Sequence, residues 1–192
     1  LLRVLNHRPD LPATHVAGGH GGRTLLQHSM LTSWVITEVS RTWSYDGLRD
    51  RTGKRILLPL RDPEYRFNPH DPMVAIIGLA HDIGKIESFV YTDGGDVVGI
   101  GAEHDLTGSR MIARMPETWA IPAMDRDAML LAIAHYHHPV DLPLVPAQRK
   151  AVARDDRTIA LMELLIRADF TVTSIENRGV QPTDDEYRSL DS

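Results

Sequence analysis

The 192-residue chain has no cysteine. That excludes disulfides and thiolate metal sites and leaves His, Asp and Glu as the side chains able to ligate a metal. The lack of thiols fits a cytoplasmic protein. No apolar run approaches the roughly 20 residues of a membrane span, and no signal peptide is visible. The chain opens on Leu1 rather than Met, which suggests an excised domain or disordered flanks. Repeats and low-complexity segments are missing, and nothing in the composition points to disorder. A uniformly basic footprint for nucleic acid is absent as well. Net charge is −5, with ten Lys/Arg against six Asp/Glu in residues 1–66 and eleven against twenty in residues 67–192. The basic excess concentrates in Arg49, Arg51, Lys54, Arg55, Arg61 and Arg66, which reads as a solvated loop or as a phosphate-binding arm.

What is present is a core and a surplus of imidazoles. The chain is 42% hydrophobic and carries ten histidines. Its length suits one domain, and histidine without cysteine points to hard or borderline metals bound through N and O. Residues 1–22, rich in Pro, Gly and His, read as an irregular lead-in. Thr24 to Trp43 has helical spacing, with Leu31, Trp34, Val35 and Val39 as an apolar face. Residues 46–70 form a long charged loop. Asp71-Pro72 is a good helix start, followed by an apolar run to Asp82 that calls for burial on most sides. A small β-hairpin is expected over 89–101, turning at Asp93-Gly94-Gly95. Helices are expected near 103–115, 125–137 and 155–175, with a polar tail over 179–192. In the last helix Ile159, Met162, Ile166 and Thr173 share one side and Leu161, Leu165, Ala168 and Val172 another.

The strongest chemical signal is Leu79-Ala80-His81-Asp82-Ile83-Gly84-Lys85. A His-Asp pair at the end of a buried helix is costly unless it is paired or holds a metal. A carboxylate can bind one cation and bridge to a second, and Lys85, about a turn on, is positioned to meet a phosphate oxygen. The alternative is a helix cap bonded to loop backbone. His28 lies among apolar residues of the first long helix and by itself reads as a satisfied core histidine. His104 opens a helix, where capping or solvation would explain it. His135, His137 and His138 crowd one helix end, and Asp169 falls inside an apolar helix, where it needs a partner. Taken together, one shared metal cluster accounts for all of them. His7, His15, His20 and His70 read as loop surface, with His15 and His20 able to line the mouth of such a site.

The order His28, His81-Asp82, His104, His137-His138, Asp169 resembles the HD superfamily of metal-dependent phosphohydrolases over residues 23 to about 175. The resemblance implies an all-α helical bundle spanning residues 23–178, with ligands on separate helices around one cavity. It implies two divalent metal ions, iron or manganese ahead of magnesium. His28, His81, Asp82 and Asp169 would hold the first, Asp82 would bridge, and His104 with His137 and His138 would hold the second. Lys85 would contact phosphate, and Asp169 would orient the nucleophile or take its proton. The implied activity is phosphodiester cleavage by a metal-activated hydroxide, on a nucleotide or nucleic acid. His135 fits the family's spacing less well.

Within that superfamily, the cyclic-dinucleotide branch with a Gly-Tyr-Pro motif is not matched, because Pro139-Val140-Asp141 follows the His pair. A neighbouring branch keeps His-Asp-Ile-Gly and His-His without Gly-Tyr-Pro and cleaves other cyclic dinucleotides. The lead-in Leu11-Pro12-Ala13-Thr14, with His15, His20, Gly21-Gly22 and Leu25-Leu26-Gln27-His28-Ser29, is similar to the MobH-type conjugative relaxases, which act on single-stranded DNA. The consecutive His triplet of that group is replaced by His15 and His20, five apart. HD-type diiron oxygenases share the same ligand order and form a third implied class.

Overall fold

A computed structural model describes residues 1–16, 19–45, 47–48, 57–68, 70–137 and 155–180. The fold is mainly helical with one small antiparallel hairpin. In chain order it runs α1 (Leu2–His7), a single turn (Gly19–Gly22), α2 (Leu25–Ser40), α3 (Pro72–Ala80), α4 (Lys85–Ser88), β1 (Phe89–Tyr91) and β2 (Val97–Ile100). It continues through α5 (His104–Ala113), a short turn (Pro116–Ala120), α6 (Ala123–His135) and α7 (Asp156–Arg178). Helix α2 packs on α3 and α7, α6 packs on α5 and α7, and α4 packs on α5.

Local chemistry sets most of the boundaries. Thr24 and Gln27 form a reciprocal capping box at the start of α2, satisfying two otherwise orphaned N–H groups. Asp71 accepts from the Met73 N–H at 2.9 Å with Pro72 in the first helical position. Asp155 caps α7 through the Arg157 N–H. That helix ends at Gly179, whose φ of 71° lets its N–H reach the Ile175 carbonyl. Arg157 then joins three helix starts, meeting Asp71 at 2.8 Å and Asp125 at 2.9 Å.

The hairpin lies where the pattern placed it, with Phe89 opposite Ile100 and the turn at 92–96. Two readings change. The lead-in is not wholly irregular: α1 buries Leu5, Leu11 and Ala13 are buried, and Pro12 bridges to Thr24. The inner face of α2 matches the apolar stripe only in part: Val35 is buried and Leu31 and Val39 pack at the edge of the core, but Trp34 is 63% exposed. The buried set is Leu25, His28, Ser29, Thr32, Val35, Ile36 and Ser40. Apolar periodicity misjudged this helix because its inward face carries polar groups that serve a site. Helix α7 has its two apolar sides both largely buried, so it is the central helix. Much of the charged loop 46–70, including Arg49, Arg51, Lys54 and Arg55, lies outside the described residues, as do His138 and the tail from 181. Arg61 and Arg66 are exposed.

Helix α3 stops at Ala80, and His81–Gly84 make a tight turn into α4. A Cβ at Gly84 would sit 1.8 Å from the His104 carbonyl oxygen and 2.4 Å from the Gly108 nitrogen. Only glycine allows this contact, and the contact brings the start of α5 against the His-Asp turn. No helix among the described residues is long and apolar enough to cross a membrane.

Candidate metal centre

Four helices and the turn after α3 deliver side chains to one buried region. His28 comes from α2, His81 and Asp82 from the turn, His104 from the first residue of α5, His137 from just beyond α6, and Asp169 from the middle of α7. His28, His81 and Asp82 are buried. Asp169 is the more open member, its side chain 20% exposed.

The imidazole tautomers follow from their outer partners. His81 Nδ1 lies 2.7 Å from the Gly78 carbonyl oxygen, which can only accept, so Nδ1 carries the proton. His28 Nδ1 lies 2.9 Å from Glu176 Oε2, a buried carboxylate oxygen that also accepts. Both Nε2 atoms therefore turn inward. With His104 Nε2, they are buried and have no hydrogen-bond partner among the described residues. They face carboxylates instead. His28 Nε2 is 3.3 Å from Asp169 Oδ1 and 3.5 Å from Asp82 Oδ2. His81 Nε2 is 3.4 Å from Asp82 Oδ2 and 3.6 Å from Asp169 Oδ1. His104 Nε2 is 3.5 Å from Asp82 Oδ1.

These separations are long for charge-assisted hydrogen bonds. They are close to the edges of a coordination polyhedron, since ligands about 2.1 Å from one ion lie about 3.0–3.4 Å apart in octahedral or tetrahedral geometry. A neutral imidazole lone pair aimed at a carboxylate is repulsive unless a proton or a metal cation lies between them, and 3.3–3.6 Å is long for a proton alone. The donor set thus fits a metal ion, and two groups, His28-His81-Asp82 and Asp82-His104-His137, bring their ligand atoms close enough to hold one. Asp82 belongs to both.

Electrostatics agree. Burial alone would depress the His81 pKa, but Asp82 and Asp169 outweigh it and push it up to about 10. Burial also works against protonation of His28, and Asp169 and Glu176 again reverse the direction. Burial opposes ionisation of Asp82, yet Lys85, His81 and His104 hold its carboxyl well below the usual range. His28 and His81 do the same for Asp169 against its burial. His137 is shifted the other way, down, mainly by burial. The site is therefore built to keep two carboxylates ionised and to accept positive charge between them.

Asp82 is gripped from both sides. The Lys85 ammonium donates to Oδ2 at 2.5 Å and to the Ala13 carbonyl at 2.9 Å, and Tyr136 Oη donates to Oδ1 at 3.1 Å. Lys85 is buried. Two of its protons serve Asp82 and the lead-in backbone, so the cation expected to meet a phosphate stands beside the shared carboxylate.

Of the expected ligands, His28, His81, Asp82, His104, His137 and Asp169 meet. His138 lies outside the described residues, and His135 belongs to none of the candidate groups. His7, His15 and His70 are exposed. His20 is not loop surface: its Nδ1 lies 2.8 Å from Glu176 Oε2 and its ring packs edge-on against His28 at 4.5 Å. Glu176 and Tyr136 were missed in the sequence. Glu176 falls seven residues after Asp169, two turns along the same face of α7, and that spacing was the available signal. Compared with protein-family models, curated proteins and solved structures, the chain has no match.

Proposed function

We propose that the chain is a metal-dependent phosphohydrolase that cleaves a phosphodiester of a nucleotide or nucleic acid at a dinuclear site. The observation that carries this reading is the convergence of three inward Nε2 atoms on the carboxylates of Asp82 and Asp169 at 3.3–3.6 Å. His28, His81, Asp82 and Asp169 would hold one ion, and Asp82, His104 and His137 the other. A donor set this rich in nitrogen favours iron or manganese over magnesium.

When bound, divalent ions supply Lewis acidity to a phosphoryl oxygen and lower the pKa of water. The chain's own residues do the rest. Lys85 and Tyr136 fix both oxygens of Asp82, so the shared carboxylate keeps its orientation. Burial and the Asp82 charge raise the Tyr136 pKa well above its usual value, so its hydroxyl stays protonated and keeps donating. Asp169 turns Oδ1 to His28 and His81 and is the most exposed of these carboxylates. Its anionic Oδ2 is the atom assigned to orient an attacking water and take its proton.

A second reading, a nuclease acting on single-stranded DNA in the manner of the MobH-type relaxases, draws support from the lead-in. The residues carrying that similarity pack onto the centre: Ala13 accepts from Lys85, and His20 reaches Glu176. Cleavage of bis-p-nitrophenyl phosphate with iron, manganese and magnesium added in turn tests the first reading. Metal-dependent turnover is expected, with cyclic dinucleotides and single-stranded DNA as the next substrates. Two bound irons and no cleavage of any diester would overturn it in favour of an HD-type diiron oxygenase.

A further inference from the structure

A third group of possible ligands, His20, His28 and Glu176, lies directly behind the centre. Its distances separate it from the other two. His20 Nδ1 and His28 Nδ1 are 2.8 and 2.9 Å from the same oxygen, Glu176 Oε2. These are hydrogen-bond lengths, shorter than the 3.3–3.6 Å contacts that surround Asp82 and Asp169. At these lengths shared protons account for the group without a third ion. A carboxylate oxygen has two lone pairs, and here each receives one imidazole N–H. The other oxygen, Oε1, pairs with Arg23 Nε at 3.2 Å, so a carboxylate with no exposed side-chain surface meets three cationic or N–H partners.

The backbone that presents His20 is unusual. His20, Gly21 and Gly22 have successive φ values of 52°, 59° and 72°. His20 is the only non-glycine with positive φ among the described residues, and such a conformation is disfavoured for a residue with a Cβ. A Cβ on Gly21 would lie 2.7 Å from the Glu176 carbonyl oxygen, so this turn is pressed against the end of α7. Strain of this kind persists where surrounding contacts impose it. Here the contact imposing it is a hydrogen bond to the carboxylate behind His28.

We infer that Glu176 and His20 are positioning residues of the metal centre, and that the Gly19–Arg23 turn exists to set the tautomer and direction of His28. The inference rests on the metal-binding reading above. Glu176 can only accept, so it forces the proton onto His28 Nδ1 and leaves the Nε2 lone pair facing Asp82 and Asp169. His20 and Arg23 hold Glu176 in place. Outer partners of ligating histidines commonly alter metal affinity by about 10–100-fold when removed. A glutamine at position 176 can donate as well as accept. It therefore admits the opposite His28 tautomer, with Nε2 protonated and unable to ligate.

The test is a Mn²⁺ titration of the full chain and two variants, by calorimetry or electron paramagnetic resonance, alongside thermal unfolding of each after chelation. Glu176→Gln is expected to weaken binding about 10–100-fold at the position held by His28, with the position held by His104 and His137 much less affected. General structural damage would weaken both positions alike. His20→Gly relieves the left-handed strain but takes a 2.8 Å partner from a buried carboxylate, so Mn²⁺ binding and not Tm separates the roles: a merely structural role predicts binding unchanged or weakened alike at both positions. The positioning role predicts weaker Mn²⁺ binding at the position held by His28, in the same direction as Glu176→Gln and by less. Wild-type affinity in both variants would overturn the inference while leaving the metal reading intact. Failure of the unaltered chain to bind Mn²⁺ would instead overturn the reading on which it rests.

Discussion

Replacing Asp82 by alanine tests the centre and its wiring together. The carboxylate accepts from Lys85 at 2.5 Å and from Tyr136 at 3.1 Å, and faces three imidazole nitrogens at 3.4–3.5 Å. Its loss leaves the Lys85 ammonium, 8% exposed, with the Ala13 carbonyl as its remaining partner of those two. Removing one member of a buried ion pair costs about 3–5 kcal/mol. In a chain of this size each kcal/mol shifts Tm by about 2–4 °C, so the chelated variant is expected to melt roughly 6–20 °C lower. The lower end is favoured, because His81 can shed its proton once Asp82 is gone and relieve part of the stranded charge. Adding Lys85→Met to the same chain removes the orphaned ammonium and should restore most of the lost Tm. It should not restore metal. Thermal unfolding in chelator and metal analysis after reconstitution give the two readouts separately. A shift under about 2 °C for Asp82→Ala, or undiminished metal in either variant, would refute the reasoning that Asp82 is both Lys85's partner and the common ligand.

Three further expectations follow from the same geometry. His104→Ala should empty mainly the position shared by Asp82, His104 and His137; equal loss of both ions in metal analysis would show that the positions are not separable. For the chelated protein, the His81 pKa raised from 6.5 to about 10 means the folded state holds that proton more tightly than the unfolded chain. Its stabilisation is complete below pH 6.5 and is lost as pH rises towards 10, whereas that from the depressed Asp82 and Asp169 is present above the normal carboxylate range and lost on acidification. Denaturant unfolding across pH should show a decline between 6.5 and 10 that His81→Gln reduces, the raised His28 supplying part of the remainder, while metal affinity rises over the same interval because binding displaces protons; an undiminished decline in the variant would assign it elsewhere. Trp34→Ala should change stability by no more than about 0.5 kcal/mol, since the side chain is 63% exposed. A loss of about 3 kcal/mol in denaturant unfolding would return Trp34 to the core.

The longer helices, the Asp71-Pro72 start and the hairpin could be read from the chain because each has a local cause that acts within a few residues, whereas α1 and the Thr24–Gln27 box were not read. His28, His81, Asp82, His104, His137 and Asp169 could be read as one group because polar side chains in apolar helices demand an explanation. The inner face of α2 was hidden by the same feature. His28, Ser29 and Thr32 point inward to serve the site, so the apolar period pointed to Trp34 instead. Glu176 and His20 were hidden for a different reason. They meet across 156 residues, and His20 reaches Glu176 through a left-handed turn that Gly-His-Gly-Gly permits but does not announce. Spacing alone does not show that Lys85 also donates to the Ala13 carbonyl, 72 residues away.

The most direct measurement is the metal content of the full chain, stripped by chelation, reconstituted with Mn²⁺ or Fe²⁺ under anaerobic conditions, and dialysed. The account predicts about two tightly held ions per chain, as expected of a shared carboxylate site, and none in Asp82→Ala. A chain that retains no metal after reconstitution would contradict it, for the inward imidazoles and carboxylates would then be paired through protons alone.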